Sequence, residues 1–190
     1  MVHINKAARE INLKIVYCSV SGEAGLESLK LVRTKLPREN AGEIISINTA
    51  TGQTLFFDFL PITLGNVHGY DLNLKLYAAP EAGYYDASRR LVFNGADGVI
   101  FIADTRVEKK EKNLQFLDEV KESIAGEGRL IPVIFQWNFW STELDGIPLF
   151  SVDSLNALLN PERQPSFAVI QGEEVLNALK ETVKMVFSAM

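Results

Sequence analysis

Side chains able to perform chemistry in combination are sparse in this sequence. The spacing that most suggests a ligand is Ser19-Val20-Ser21-Gly22-Glu23-Ala24-Gly25-Leu26. Small residues at that density suit a loop whose peptide N–H groups close around an anion. A phosphate-cradling loop, G-x-x-x-x-G-K-[ST], also needs a lysine to neutralise charge and a hydroxyl to hold magnesium. Gly25 stands at the lysine position, Leu26 at the hydroxyl position, and Glu23 adds a negative charge, so the signature fails. Asp58 lies in an apolar run with no second acid, histidine or metal cluster in the pattern, which argues against acid–base catalysis there. His3 and His68 occupy polar surroundings without metal-ligand spacing and read as surface or loop residues. The single cysteine, Cys18, closes the apolar run from Leu13 and reads as a small core residue. No nucleophile and base arrangement occurs elsewhere, so no catalytic residue, metal ligand or cofactor is expected.

The elements that would position these residues alternate along the chain. The run Leu13, Ile15, Val16, Tyr17 predicts a buried strand ended by Ser19, Ser21 and Gly22. From about Leu26 a helical spacing of Leu26, Leu29, Val32 and Leu36 continues until Pro37. Thr54–Phe59 and the alternating segment Leu72–Tyr77 predict an antiparallel hairpin joined through Pro61, Gly65 and Gly69. Gly98–Ala103, Pro132–Gln136 and Phe167–Ile170 are the continuous apolar runs of strands covered on both faces. Between and after them, helical patterns place Leu114, Leu117, Val120 and Ile124 on one helix, Leu155, Leu158 and Leu159 on a second, and Val175, Leu179, Val183 and Val186 on a third. The expected class is α/β: a mostly parallel six-stranded sheet with one antiparallel strand pair and helices on both faces. The lysine-rich stretch Glu108–Lys112 reads as a solvated helix start.

Length and composition narrow the function classes. At 190 residues, one domain spanning 1–190 is expected, with a core that needs no disulfides. A hydrophobic fraction of 47% and a charged fraction of 23% fit a folded globular chain. The net charge of -5, with both signs interleaved, argues against a nucleic-acid surface. With no apolar leader in MVHINKAARE, no span of membrane length and one cysteine, the expected compartment is the cytoplasm.

In an open parallel sheet the ligand crevice lies at the carboxyl ends of the strands, which brings the segment after Cys18 back into view. The blocks Arg9–Tyr17, Thr54–Pro61, Tyr85–Leu91 and Gly95–Val99 stand in an order and spacing that resembles the bacterial gliding-motility small GTPases, the MglA type. The match runs across most of the chain and is tightest over its first hundred or so residues. The resemblance implies a Ras-like P-loop NTPase fold, GTP-driven control of cell polarity and motility, and a small roadblock-type activating partner, MglB.

The departures from that family gather where it contacts nucleotide. Ser19–Leu26 lacks the family's phosphate-loop glycines, lysine and hydroxyl. Gln53 replaces an arginine finger, although Thr54 is retained. The switch motif P-G-Q falls at Pro80-Glu81-Ala82, where Glu81 sets a carboxylate beside phosphate and Ala82 cannot orient water. The guanine-reading N-K-x-D falls at Asn138-Phe139-Trp140-Ser141, and Ser141 cannot accept the paired guanine N–H bonds as a carboxylate does. Each lost hydrogen bond to a charged group removes roughly 1.5 to 3 kcal/mol, and about 1.4 kcal/mol is tenfold in affinity, so the changes together cost on the order of four decades or more.

The expectation is a vestigial nucleotide crevice of Ser19, Glu23, Ala24, Gly25, Leu26, Gln53, Glu81, Ala82, Asn138, Phe139 and Ser141. Phe139 and Trp140 either fill the vacated guanine site or pack at a strand end. Glu23 and Glu27 either bind a cation or basic partner, or are solvated carboxylates favoured by the helix dipole. Gln53, Thr54, Phe56 and Asp58 are candidates for a partner-facing strand. The leading expectation is a pseudo-GTPase that binds or regulates a polarity or motility protein, with an MglB-like roadblock protein or another such component as partner. The alternative is a slow nucleotide-binding enzyme with an altered pocket using Ser19, Ser21 and Asn138. A structural subunit of a larger complex is a third reading.

Overall fold

A computed structural model of the chain describes residues 2–47, 57–79, 91–139, 146–170, 172 and 174–189. Along these run β1 (His3–Asn5), β2 (Glu10–Ser19), α1 (Gly22–Lys35), β3 (Ile45–Ile47), β4 (Phe57–Val67), β5 (Tyr70–Ala78), β6 (Gly98–Asp104), α2 (Lys110–Ala125), β7 (Val133–Asn138), α3 (Val152–Leu159), β8 (Ser166–Val169) and α4 (Glu174–Ser188). One sheet takes the order β3-β4-β5-β2-β6-β7-β8, with β1 paired to β2 off this path. β2 pairs in parallel with β5 and β6, β6 with β7, and β7 with β8.

The six longest strands are those expected, and among them only β4 and β5 pair antiparallel. The count of six is corrected to eight by β1 and β3, which add two further antiparallel pairs. Each has three residues, too few to carry a period, and each exists through its ladder with a longer neighbour. A second correction concerns the hairpin. β4 does not stop before Pro61 but continues to Val67. Pro61 is tolerated because its carbonyl accepts the Gly42 N–H at 2.9 Å, so the side lacking a donor faces that segment and not β5. A register shift between Thr63 and Asn66 absorbs Gly65. The turn itself is His68-Gly69, both at positive φ, closed by the Gly69 N–H donating to Asn66 Oδ1 at 2.8 Å.

Helices cover both faces. On one, Leu13, Ile15 and Tyr17 of β2 pack with Leu29 and Val32 of α1 and with Val175, Leu179 and Val186 of α4. On the other, Val16 and Cys18 pack with Phe116, Leu117 and Val120 of α2 and Leu155 and Leu159 of α3. A ring ladder stiffens this second cluster: Phe101 lies 5.8 Å from Phe116 and from Phe135, which stacks on Trp137 at 5.3 Å. Burying one such aliphatic or aromatic side chain stabilises by about 1.5–3 kcal/mol, and the two clusters together hold α1 and α2 at fixed heights above the strand ends. α1 begins four residues before its first apolar repeat at Leu26, because Ser21 takes the extended N-cap conformation and Glu23 lies in the first turn. Among the described residues no helix is long and apolar enough to cross a membrane.

Candidate functional site

The crevice is bounded by the carboxyl ends of β2, β6 and β7. At β2 the connection to the helix is short: Ser19 is the last strand residue, Gly22 the first of α1, and only Val20 and Ser21 lie between. Gly22–Leu26, five of the eight phosphate-loop positions, are therefore helical. Expected as a loop, the segment is corrected to a tight strand-to-helix junction. Its polar groups are turned inward. Ser19 is buried with its hydroxyl donating to the Ser21 carbonyl, the Ala24 N–H bonds the Ser21 carbonyl at 3.2 Å, and Ser28 Oγ donates to the Ala24 carbonyl at 2.8 Å.

Gly25 is also corrected as a crevice-lining residue. It is buried against β5, and a Cβ there would stand 3.2 Å from the Ala78 Cβ. A Cβ at the lysine position would thus crowd the sheet. Ala24 and Leu26 are half-buried, while Glu23 and Glu27 are exposed on the first turns of α1, where its dipole favours them.

At the end of β6, Asp104 is gripped from two sides. Its carboxylate accepts from the Arg106 N–H at 3.1 Å and from Arg106 Nε at 2.9 Å. Its own backbone N–H and carbonyl are clamped by the fully buried Asn113 amide of α2 at 3.0 and 2.7 Å. Thr105, also buried, donates its hydroxyl to the Asn138 carbonyl at 2.9 Å and accepts the Phe150 N–H on its own carbonyl.

At the end of β7, Gln136 is fully buried and spends both amide hydrogens: Nε2 donates to Ser28 Oγ at 3.1 Å and to Asn138 Oδ1 at 2.9 Å. Its Oε1 is buried without a hydrogen-bond partner among the described residues. Phe139 is half-buried against the second core cluster, with its N–H on the Val169 carbonyl at 2.8 Å.

The structure thus brings Ser19, Ala24 and Asn138 to the crevice, turns Gly25 away, and leaves Glu23 on the surface. Asp58 lies apart on β4, opposite Ala78, where it accepts the Ser46 hydroxyl from β3. Gln53, Thr54, Phe56, Glu81, Ala82, Trp140 and Ser141 fall outside the described residues. His3 and His68 are exposed, and Cys18 is core. The residues that sequence reasoning passed over are Ser28, Thr105, Asn113 and Gln136. The available signal was a lone amide or hydroxyl inside an apolar run, since a buried polar group must find partners.

No protein-family model matches the chain. It is 34% identical over 195 residues to the mutual gliding-motility protein MglA of Myxococcus xanthus (strain DK1622), an alignment covering 100% of this chain and 98% of that protein.

Proposed function

Because the chain belongs to the MglA type of Ras-like gliding-motility GTPases, we propose that it is a pseudo-GTPase of that family. In this reading residues 1–190 form one cytoplasmic domain that binds a protein partner in cell polarity or motility without a nucleotide cycle. The observation that carries the proposal is the β2–α1 junction. With Gly22–Leu26 helical, the segment is not the open eight-residue loop that cradles a phosphate, and the Ala24 N–H is taken by the Ser21 carbonyl at 3.2 Å. Gly25 lies against Ala78, and the lysine that would neutralise a phosphate is missing from that position. Glu23, exposed in the first turn of α1, adds a negative charge at the helix start, with no phosphate-loop lysine left to compensate it. The partner is proposed to be a roadblock-type protein of the MglB kind, docking on the strand region that contains Asp58.

Purified protein is expected to carry no guanine nucleotide and to melt at the same temperature with or without magnesium and 1 mM GTP or GDP. A ligand at a thousand times its Kd would stabilise by about 4 kcal/mol, about 8–16 °C for a chain of this size, so the measurement separates the cases cleanly. Near-equimolar copurifying GDP or GTP would overturn the proposal. Phosphate release above background that disappears on changing Asn138 would support the slow-enzyme alternative.

A further inference from the structure

The crevice contains a second arrangement that nucleotide loss alone does not explain. Gln136 joins two elements that a guanine nucleotide would bridge from outside, the helix after the phosphate loop and the strand ending in the guanine-reading asparagine. It does so from inside the protein. The chain of bonds runs from the Ala24 carbonyl to Ser28 Oγ, to Gln136 Nε2, to Asn138 Oδ1, and through the Asn138 carbonyl to Thr105 Oγ1. Ser28, Gln136 and Thr105 are each at most 1% exposed, and the Gln136–Ser28 bond at the centre of the relay is buried from water. Gln136 and Ser28 are 108 residues apart in sequence, so their bond exists only when α1 sits at one height over the sheet.

We propose that the Ser28–Gln136–Asn138–Thr105 relay is an internal brace that holds the crevice in a single conformation with no ligand in it. The brace fixes the first two turns of α1 and the end of β7 relative to each other. Any surface that flanks the crevice is then presented in one state rather than switched between two. This inference rests on the pseudo-GTPase reading only in taking the crevice to be ligand-free; the bonds stand independently of it.

The test is hydrogen–deuterium exchange on the full chain, comparing the wild type with Gln136→Met and with Ser28→Ala. Gln136→Met removes both donated bonds and keeps the side chain's length. Ser28→Ala leaves β7 intact and suits a helix. Both variants are expected to speed exchange about tenfold in peptides covering residues 24–30 and 136–139, with α4 unchanged. Unchanged exchange at α1 in a folded variant would overturn the brace, as would a uniform increase that includes α4. If Gln136→Met fails to fold, Ser28→Ala decides. Guanine nucleotide bound to the wild type would sink the pseudo-GTPase reading while leaving this contrast measurable, so the two failures are distinguishable.

Discussion

The two ends of the parallel sheet are fastened by different chemistry. At the amino end the fastening is charge. Asp97, 2% exposed, accepts the Lys14 N–H at 2.9 Å and faces Arg129 Nη2 at 3.2 Å. The Lys14 ammonium donates to the Asn94 carbonyl at 2.8 Å and lies 4.8 Å over the Tyr77 ring. Burial pulls the Lys14 pKa below its ordinary value, and the Glu127 and Asp97 carboxylates pull it partly back. At the carboxyl end, hydroxyls and amides join α1 to β7, and an ion pair among the described residues, Asp104 with Arg106, links residues two apart. In an open parallel sheet ligands bind at the carboxyl ends of the strands, so that end is where phosphate and magnesium would bring charge of their own. In this chain the contact between α1 and β7 at that end is made by neutral groups, whose bonds are weaker singly than charged ones.

The largest expected effect is at the amino end. Asp97→Ala leaves the Arg129 guanidinium with the Ala96 carbonyl but no counter-charge and frees the Lys14 N–H, and is expected to cost about 3 kcal/mol in urea unfolding. Arg129 keeps a quarter of its side-chain exposure, which holds the figure at the lower end of the range for buried pairs. A loss under about 1 kcal/mol would erase the distinction between the ends.

Gly25→Lys restores the lysine of the phosphate signature and attacks the comparison from the other side. Its Cβ is crowded by Ala78, whose Cβ stands at 3.2 Å and must give way slightly, so a cost of about 1–3 kcal/mol is expected, with no rise in melting temperature on adding magnesium and GTP. Acquisition of GTP binding would mean that the junction still forms a phosphate site.

Gln136→Met is expected to cost only about 1 kcal/mol globally, because it removes two donated bonds but also an acceptor that is buried without a partner. A loss as large as that of Asp97→Ala would show the neutral end to be fastened as strongly as the charged one.

The smallest effect is Tyr17→Phe. The Tyr17 hydroxyl is fully buried without a hydrogen-bond partner among the described residues, so its removal is expected to leave stability unchanged or raise it by up to about 1 kcal/mol. Burial pushes the phenol well above its usual value of 10.0. Below pH 10.0 both folded and unfolded chains keep this proton, and its contribution is constant. Above that, the unfolded chain ionises first and wild-type stability falls, so the advantage of Tyr17→Phe should widen as pH rises. Melting curves on both sides of pH 10.0 read this directly.

Much of this was legible in the residues. Gly98–Ala103 is wholly apolar because β6 is covered on both faces, and such a run has few other uses. The start of α1 was misplaced because Ser21 and Gly22 read as turn residues, although a serine followed by an acid in the next turn is also a helix start. β4 was cut short at Pro61 because local chemistry cannot say on which side of a strand the missing N–H will fall. At the site, the absence of lysine at 25 and hydroxyl at 26 was plain, while the direction in which residue 25 points was not.

The sequence by itself determined the alternation of strands and helices, the family, and the loss of the phosphate-loop lysine and hydroxyl, because periodicity and residue identity are local properties. Only the tertiary structure decided that Gly22–Leu26 is helix, that Gly25 rests on Ala78, and that Gln136 reaches Ser28. Those outcomes depend on the height at which α1 docks against the sheet. That height is set by packing between segments far apart in the chain, which no local pattern encodes.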